Sequence, residues 1–225
     1  MLFGISYFFY HFYFFPFFYA SSILITVLYV NDDQIIKKFL NYFTIPSLII
    51  AYYYTIPKYN NNVIIYFLFH WFSEICFNNK QTYFCKFICF WIGNIINAQQ
   101  IYIKIKYFNN LTFSYIILIT FPIIIFYGII KFSKYINGIF HIIFYIYIFP
   151  TYLMVIISIK IFFEDYNLIN AILIIGCIFN IASNLYTFCF NFCYNFKLSS
   201  FKIMSTYLIG QFLIVNWYCL NIYNN

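Results

Sequence analysis

The chain has 225 residues, 65% of them apolar, 28% aromatic and only 8% charged. A water-soluble domain carries about a quarter charged residues, so this composition excludes a globule coated in polar side chains and points to an all-helical membrane bundle in a single domain, residues 1–225. The net charge of +7 comes from lysine alone, without one arginine, which argues against a nucleic-acid partner, where arginine forks on phosphates and bases are expected.

A span needs about 20 mostly apolar residues. The apolar runs predict about eight transmembrane helices, at 5–30, 39–57, 62–79, 84–107, 112–131, 138–163, 168–190 and 200–220. The connections between them are short, which makes sequential neighbours antiparallel. No lysine precedes Lys37, so the first run lacks the basic start of a leader and is expected to be a retained helix. Pro16, Pro46, Pro122 and Pro150 fall inside runs, where they can kink a helix without ending it.

The third run carries the residues around which the rest is read. His70, Ser73 and Glu74 are spaced i, i+3, i+4 and share one helix face. Glu74 is the one acid placed within a span; Asp32-Asp33 and Glu164-Asp165 sit at run edges. A carboxylate at mid-span costs about 2.5–3.5 kcal/mol and needs a partner, a proton or a wet cavity. The fourth run holds Asn94, Asn97, Gln99 and Gln100, the seventh Asn180, Ser183 and Asn184, the eighth Tyr207 and Gln211. Taken singly, each is more simply a hydrogen-bonding contact between helices, worth about 0.6–2 kcal/mol. Taken together, four polar faces are expected to converge on a pocket suited to an amphipathic ligand such as a lipid head group. His11 and His141 stand alone on apolar faces and are read as packing.

Loops one, three, five and seven hold Lys37, Lys38, Lys80, Lys86, Lys131, Lys134, Lys197 and Lys202, against Lys58, Lys104, Lys106 and Lys160 in the even loops. By the positive-inside rule the odd loops are cytoplasmic. Cys85/Cys89 and Cys189/Cys193 are spaced i, i+4, unlike zinc-binding pairs, so the seven cysteines are read as small buried hydrophobes with no metal bound. Asn110-Leu-Thr112 fits a glycosylation sequon, a chance match in so Asn-rich a chain. No HExxH, GxSxG, Walker or GxGxxG motif occurs, and no cofactor is expected.

Several ordered blocks resemble the YhhN-like family, the membrane lysoplasmalogenases. Thr206-Tyr-Leu-Ile-Gly-Gln-Phe-Leu-Ile214 is similar to that family's T-Y-x-x-A-Q-Y-L-I. Gly176-Cys-Ile-Phe-Asn-Ile-Ala-Ser-Asn184 matches the spacing of G-A-L-L-F-x-x-S-D, and Leu68-Phe-His-Trp-Phe-Ser-Glu74 stands where the family has L-F-S-L-L-G-D. Phe43-Thr-Ile-Pro46 and Ala98-Gln-Gln-Ile-Tyr102 are weaker echoes of F-T-K-P and A-H/Q-x-x-Y. The family's two membrane aspartates map onto Glu74 and Asn184, and its lysine onto Ile45.

The resemblance implies cleavage of the vinyl ether of a lysoplasmalogen to a fatty aldehyde and a glycerophospho-alcohol, in a multi-pass protein of a bacterial cell membrane. A vinyl ether hydrolyses by protonation on carbon, and water captures the oxocarbenium-like cation. That needs a carboxylic acid still protonated near neutral pH, negative potential for the cation, and a group to orient water. Glu74 would serve as acid and then as carboxylate, with Asn184 holding water or a glycerol hydroxyl. His70, Ser73, Gln99, Asn180, Ser183, Tyr207 and Gln211 would line the lipid pocket. A non-catalytic lipid binder and a small transporter remain as alternatives on the same bundle, the transporter disfavoured by the lack of an internal repeat.

Overall fold

The computed structural model describes residues 34–56, 59–76, 83–105, 119–123, 127, 139–190 and 199–223. Among these there are six helices: α1 (Gln34–Thr55), α2 (Asn61–Cys76), α3 (Tyr83–Tyr102), α4 (Ile139–Glu164), α5 (Leu168–Phe188) and α6 (Ser199–Tyr223). They correspond to the second, third, fourth, sixth, seventh and eighth expected spans. The first expected span, 5–30, lies outside the described residues, as does most of 112–131, of which 119–123 and 127 are helical. The described residues are helix, turn and connection throughout.

Length and hydropathy together mark three stretches as able to cross a bilayer: Phe144–Glu164, Leu168–Phe188 and Phe201–Asn221. Helix α2, with 16 residues, rises only about 24 Å at 1.5 Å per residue, short of a 30 Å hydrocarbon core.

The helices close into a ring. Each of α1 to α6 packs on the next, and α6 returns to α1. Side-chain contacts fix the directions. Asn60 beside α2 bonds Gln100 near the end of α3, so α2 and α3 are antiparallel. Trp91 meets Ile146 and Asn97 meets Met154, so α3 and α4 run parallel. Asn180 and Gln211, then Asn170 and Trp217, set α5 against α6 in opposite directions. The ring therefore has two ends. One gathers Cys76, Lys86 and Lys202; the other gathers Asn60, Lys104, Glu164 and Asn221.

Two proline sites show how local chemistry sets this packing. Pro46 and Pro150 stay inside α1 and α4. Each lacks an N–H, which leaves the carbonyl four residues earlier without its helical donor. Those carbonyls are Tyr42 and Ile146, and each accepts an indole N–H from the adjacent helix: Trp71 Nε1 to Tyr42 O and Trp91 Nε1 to Ile146 O, both at 2.9 Å. The freed carbonyl and its indole donor thus fix the register of α1 on α2 and of α4 on α3.

Between α4 and α5 the chain turns within three residues. Asn167, extended at φ −125°, accepts the backbone N–H of Ile169 and caps α5, while the Asn170 amide donates to Asp165 O. Helices α5 and α6 approach through glycine. A Cβ on Gly210 would lie 3.0 Å from Asn180 N, and one on Gly176 3.0 Å from Leu213 Cβ. Backbone contact of this kind is the small-residue packing of membrane bundles.

The thiols depart from expectation. Cys177 and Cys219 are buried, but Cys85 is exposed and Cys76, Cys89 and Cys189 are half-buried. The i, i+4 pair at Cys85/Cys89 straddles the helix surface, so burial does not account for the whole set.

Candidate functional site

Four helices bring the polar faces together inside the ring. On α2, the spacing of His70, Ser73 and Glu74 turns all three inward, and none is more than 6% exposed. His70 fits because α3 has no side chain at Gly93: a Cβ there would stand 2.8 Å from His70 Cδ2. The imidazole stacks parallel to Tyr207 of α6, with centroids 5.9 Å apart, and its Nδ1 lies 3.3 Å from the Tyr207 hydroxyl. Tyr66 and Phe90 close over its edges.

Glu74 has a partner that the sequence reading assigned elsewhere. Lys86, counted among the topology lysines of the third loop, lies inside α3, is 2% exposed, and interacts electrostatically with Glu74. The reason is positional: Lys86 is the fourth residue of a helix that starts at Tyr83, and its register faces α2. A buried carboxylate and a buried ammonium are each expensive alone; each lying in the other's field, they offset part of that cost. Tyr207 lies in the field of Glu74 as well, and of Tyr147 on α4. Tyr147 in turn donates to Asn184 Oδ1 at 3.1 Å. Glu74 and Asn184 are thus both interior, with Tyr207 in the field of Glu74 and Tyr147 bonded to Asn184, and neither faces lipid.

A second layer lies one to two turns deeper. The Tyr66 hydroxyl donates to Gln211 Oε1 at 2.5 Å, the Gln211 amide to Asn180 Oδ1 at 3.4 Å, and the Asn180 amide to Asn94 Oδ1 at 3.1 Å. Four helices are thereby tied through side chains alone. Ser183 is committed differently: its hydroxyl donates to Ile203 O at 3.1 Å, a contact between α5 and α6.

Gln99 is corrected. It is exposed on α3, in an apolar surface groove with Ile95, Tyr102 and Pro150, while Asn94, Asn97 and Gln100 are buried. At 100° per residue, Gln99 stands on the flank opposite the inward amides. Tyr147 was absent from the sequence reading; a tyrosine in a chain with 26 of them carries no signal by itself.

The chemistry available follows from what is left unpaired. Ser73 Oγ, His70 Nε2, Asn94 Nδ2 and Asn184 Nδ2 are buried and have no protein hydrogen-bond partner. An unpaired buried donor costs about 1–3 kcal/mol. Four of them within the ring, Asn94 in the deeper layer and the others nearer the level of Glu74, make an interior that gains from a hydrogen-bonding occupant. Among the described residues no three His, Cys, Asp or Glu side chains are grouped as metal ligands.

The sequence model described as the YhhN family matches residues 36–217, which include every residue of this site. No curated protein and no solved structure matches the chain.

Proposed function

The chain belongs to the YhhN family, and from that premise we propose that it is a multi-pass membrane hydrolase acting on the vinyl ether of a lysoplasmalogen, with Glu74 and Lys86 as its proton-handling pair. One observation carries the reading: a carboxyl group enclosed by the helix ring and surrounded by buried, unpartnered donors.

The reaction would run as follows. The Glu74–Lys86 pair gives a proton to the outer alkene carbon, breaking the π bond and leaving a cation shared by the inner carbon and the ether oxygen. The carboxylate left behind stabilises that cation in a low-dielectric interior. Water, held by Asn184 and Ser73, adds to the inner carbon and returns a proton to the pair. The hemiacetal then collapses: its hydroxyl gives its proton to the pair and becomes the aldehyde C=O, while the carbon–oxygen bond to glycerol breaks and the leaving oxygen takes a proton from the pair. The products are a fatty aldehyde and a glycerophospho-alcohol. Tyr207 and His70 would position the ether by stacking and hydrogen bonding; Asn180, Gln211 and Ser183 hold the helices that carry them.

The test is mass spectrometry of a lysoplasmalogen incubated with the purified protein in lipid nanodiscs. Free fatty aldehyde is expected from the wild type and none above background from Glu74→Gln. Equal release by the variant would end the proposal.

A second reading has its own observation. Asn184, at the position of the second acid that the resemblance implies, cannot take a proton. That suits a non-catalytic lipid-binding protein. Lysoplasmalogen bound in stoichiometric amount and recovered intact would select it.

A further inference from the structure

The unpaired donors are not confined to the neighbourhood of Glu74. Gln100 Nε2 is also buried without a partner, near the opposite end of the ring. Gln100 lines a 500 Å³ pocket with Tyr52, Asn60, Lys104, Tyr218 and Asn221. A second pocket of 680 Å³ shares Lys104 and Asn221 with it and adds Glu164 and Asp165. This end is amide-rich, charged and open.

From that pocket a polar column runs inward without an apolar break. The Tyr218 hydroxyl, at the pocket wall, donates to Asn97 Oδ1 at 2.6 Å. Asn97 lies beside Tyr66, and Tyr66 begins the chain through Gln211 and Asn180 to Asn94. The Asn94 amide lies beside the His70 ring, which meets Tyr207 next to Glu74. The unpaired atoms follow the same order: Gln100, Asn94, then His70 and Ser73, then Asn184. From Gln100 to Lys86 along α3 the rise is about 21 Å, at 1.5 Å per residue. Buried water is found where such groups would otherwise stay unsatisfied, commonly with three bonds each.

We propose that this column holds a file of water that enters at the Gln100–Tyr218 pocket and reaches Glu74 through the middle of the ring. It rests in part on the hydrolase reading, under which that water is the second substrate, arriving from the end opposite Lys86. Lipid and water would then approach the reacting atoms from different sides. The column works by its amides: Gln100, Asn94 and Asn184 each keep an amide nitrogen unpaired, so water finds partners along it while the surrounding apolar wall keeps it in line.

X-ray radiolytic footprinting of the full chain in nanodiscs tests this directly, because radicals form on bound water and mark its neighbours. Met154 is the reporter: it is 0% exposed, and its sulfur sits 3.8 Å from the Asn97 amide. Met154 and Tyr66 should be oxidised at rates within about tenfold of exposed Cys85. Both unoxidised at doses that consume Cys85 would overturn the file, and this arm needs no variant. The direction is read with Asn97→Leu, which should lower Tyr66 labelling at least fivefold with Cys85 unchanged. Undiminished Tyr66 labelling would mean water arrives from the Glu74 end and would overturn the route. Labelling and turnover separate the two proposals: a labelled column with no aldehyde ends the hydrolase and leaves the water file, and aldehyde with Met154 unlabelled does the reverse.

Discussion

Among the described residues two glutamates each have a lysine nearby, and the two pairs are held in opposite ways. Lys160 and Glu164 are one turn apart on α4, 3.9 Å between Nζ and Oε1, beside a pocket that opens at the ring's end. Glu74 and Lys86 sit on different helices, enclosed, with unpaired donors around them. The first pair is local to one helix turn, its side chains 16% and 13% exposed at the rim of an open pocket, and at 3.9 Å little depends on their meeting. The second pair ties α2 to α3 in an interior where neither charge is tolerable alone. The chemistry of the side chains is the same; enclosure makes one of them a site.

The largest effect should come from the acids. Glu74→Gln is expected to reduce aldehyde release at least 100-fold, while Glu164→Gln stays within twofold of wild type, measured as initial rates on the same lysoplasmalogen. If the two variants lose activity equally, enclosure is not what distinguishes the pairs.

The next effect is on stability. Lys86→Met leaves a buried carboxylate without its counter-charge, at a cost of about 3–5 kcal/mol, read as a fall in the midpoint of denaturation in detergent. The double variant Glu74→Gln/Lys86→Met should recover most of that loss yet stay inactive. Recovery is the sharper half of this prediction, since a merely space-filling Lys86 would give additive losses.

These two residues also mark how far the sequence could be read. Glu74 was legible because an acid inside an apolar run contradicts its surroundings, and the i, i+4 periodicity gave its face. Lys86 was not, because a lysine near a run's start is the ordinary mark of membrane topology; only the register of α3 on α2 turns it inward. Gln99 failed for a related reason. The run 94–100 is amide-rich on several sides, and composition does not say which 100° sector faces in. The helices themselves, from hydropathy, were readable at six places. The indoles on Tyr42 O and Ile146 O were half readable: each proline announces a freed carbonyl, but which tryptophan reaches it is a tertiary fact.

A smaller effect concerns the partner across the ring. Asn184 accepts from Tyr147 with its oxygen and leaves its amide nitrogen unpaired. Asn184→Asp keeps the acceptor and replaces that donor with a second carboxyl oxygen. If the reaction is limited by having one acid, aldehyde release should rise severalfold, and Tyr147→Phe should cancel the gain by removing the donor that holds the new group. No change would favour a settled role for the amide, as the lipid-binding reading requires.

The smallest expected effect is the control that gives the comparison its meaning. Lys160→Met should change stability by less than about 1 kcal/mol, because an i, i+4 pair 3.9 Å apart at the rim of an open pocket gains little from its contact. The substitution also keeps the apolar stem, so packing on α4 is retained. The same denaturation midpoint reads it beside Lys86→Met. A loss approaching that of Lys86→Met would show that the pocket beside Glu164 is closed to water, and the two ends of the ring would then be alike in the one property used here to tell them apart.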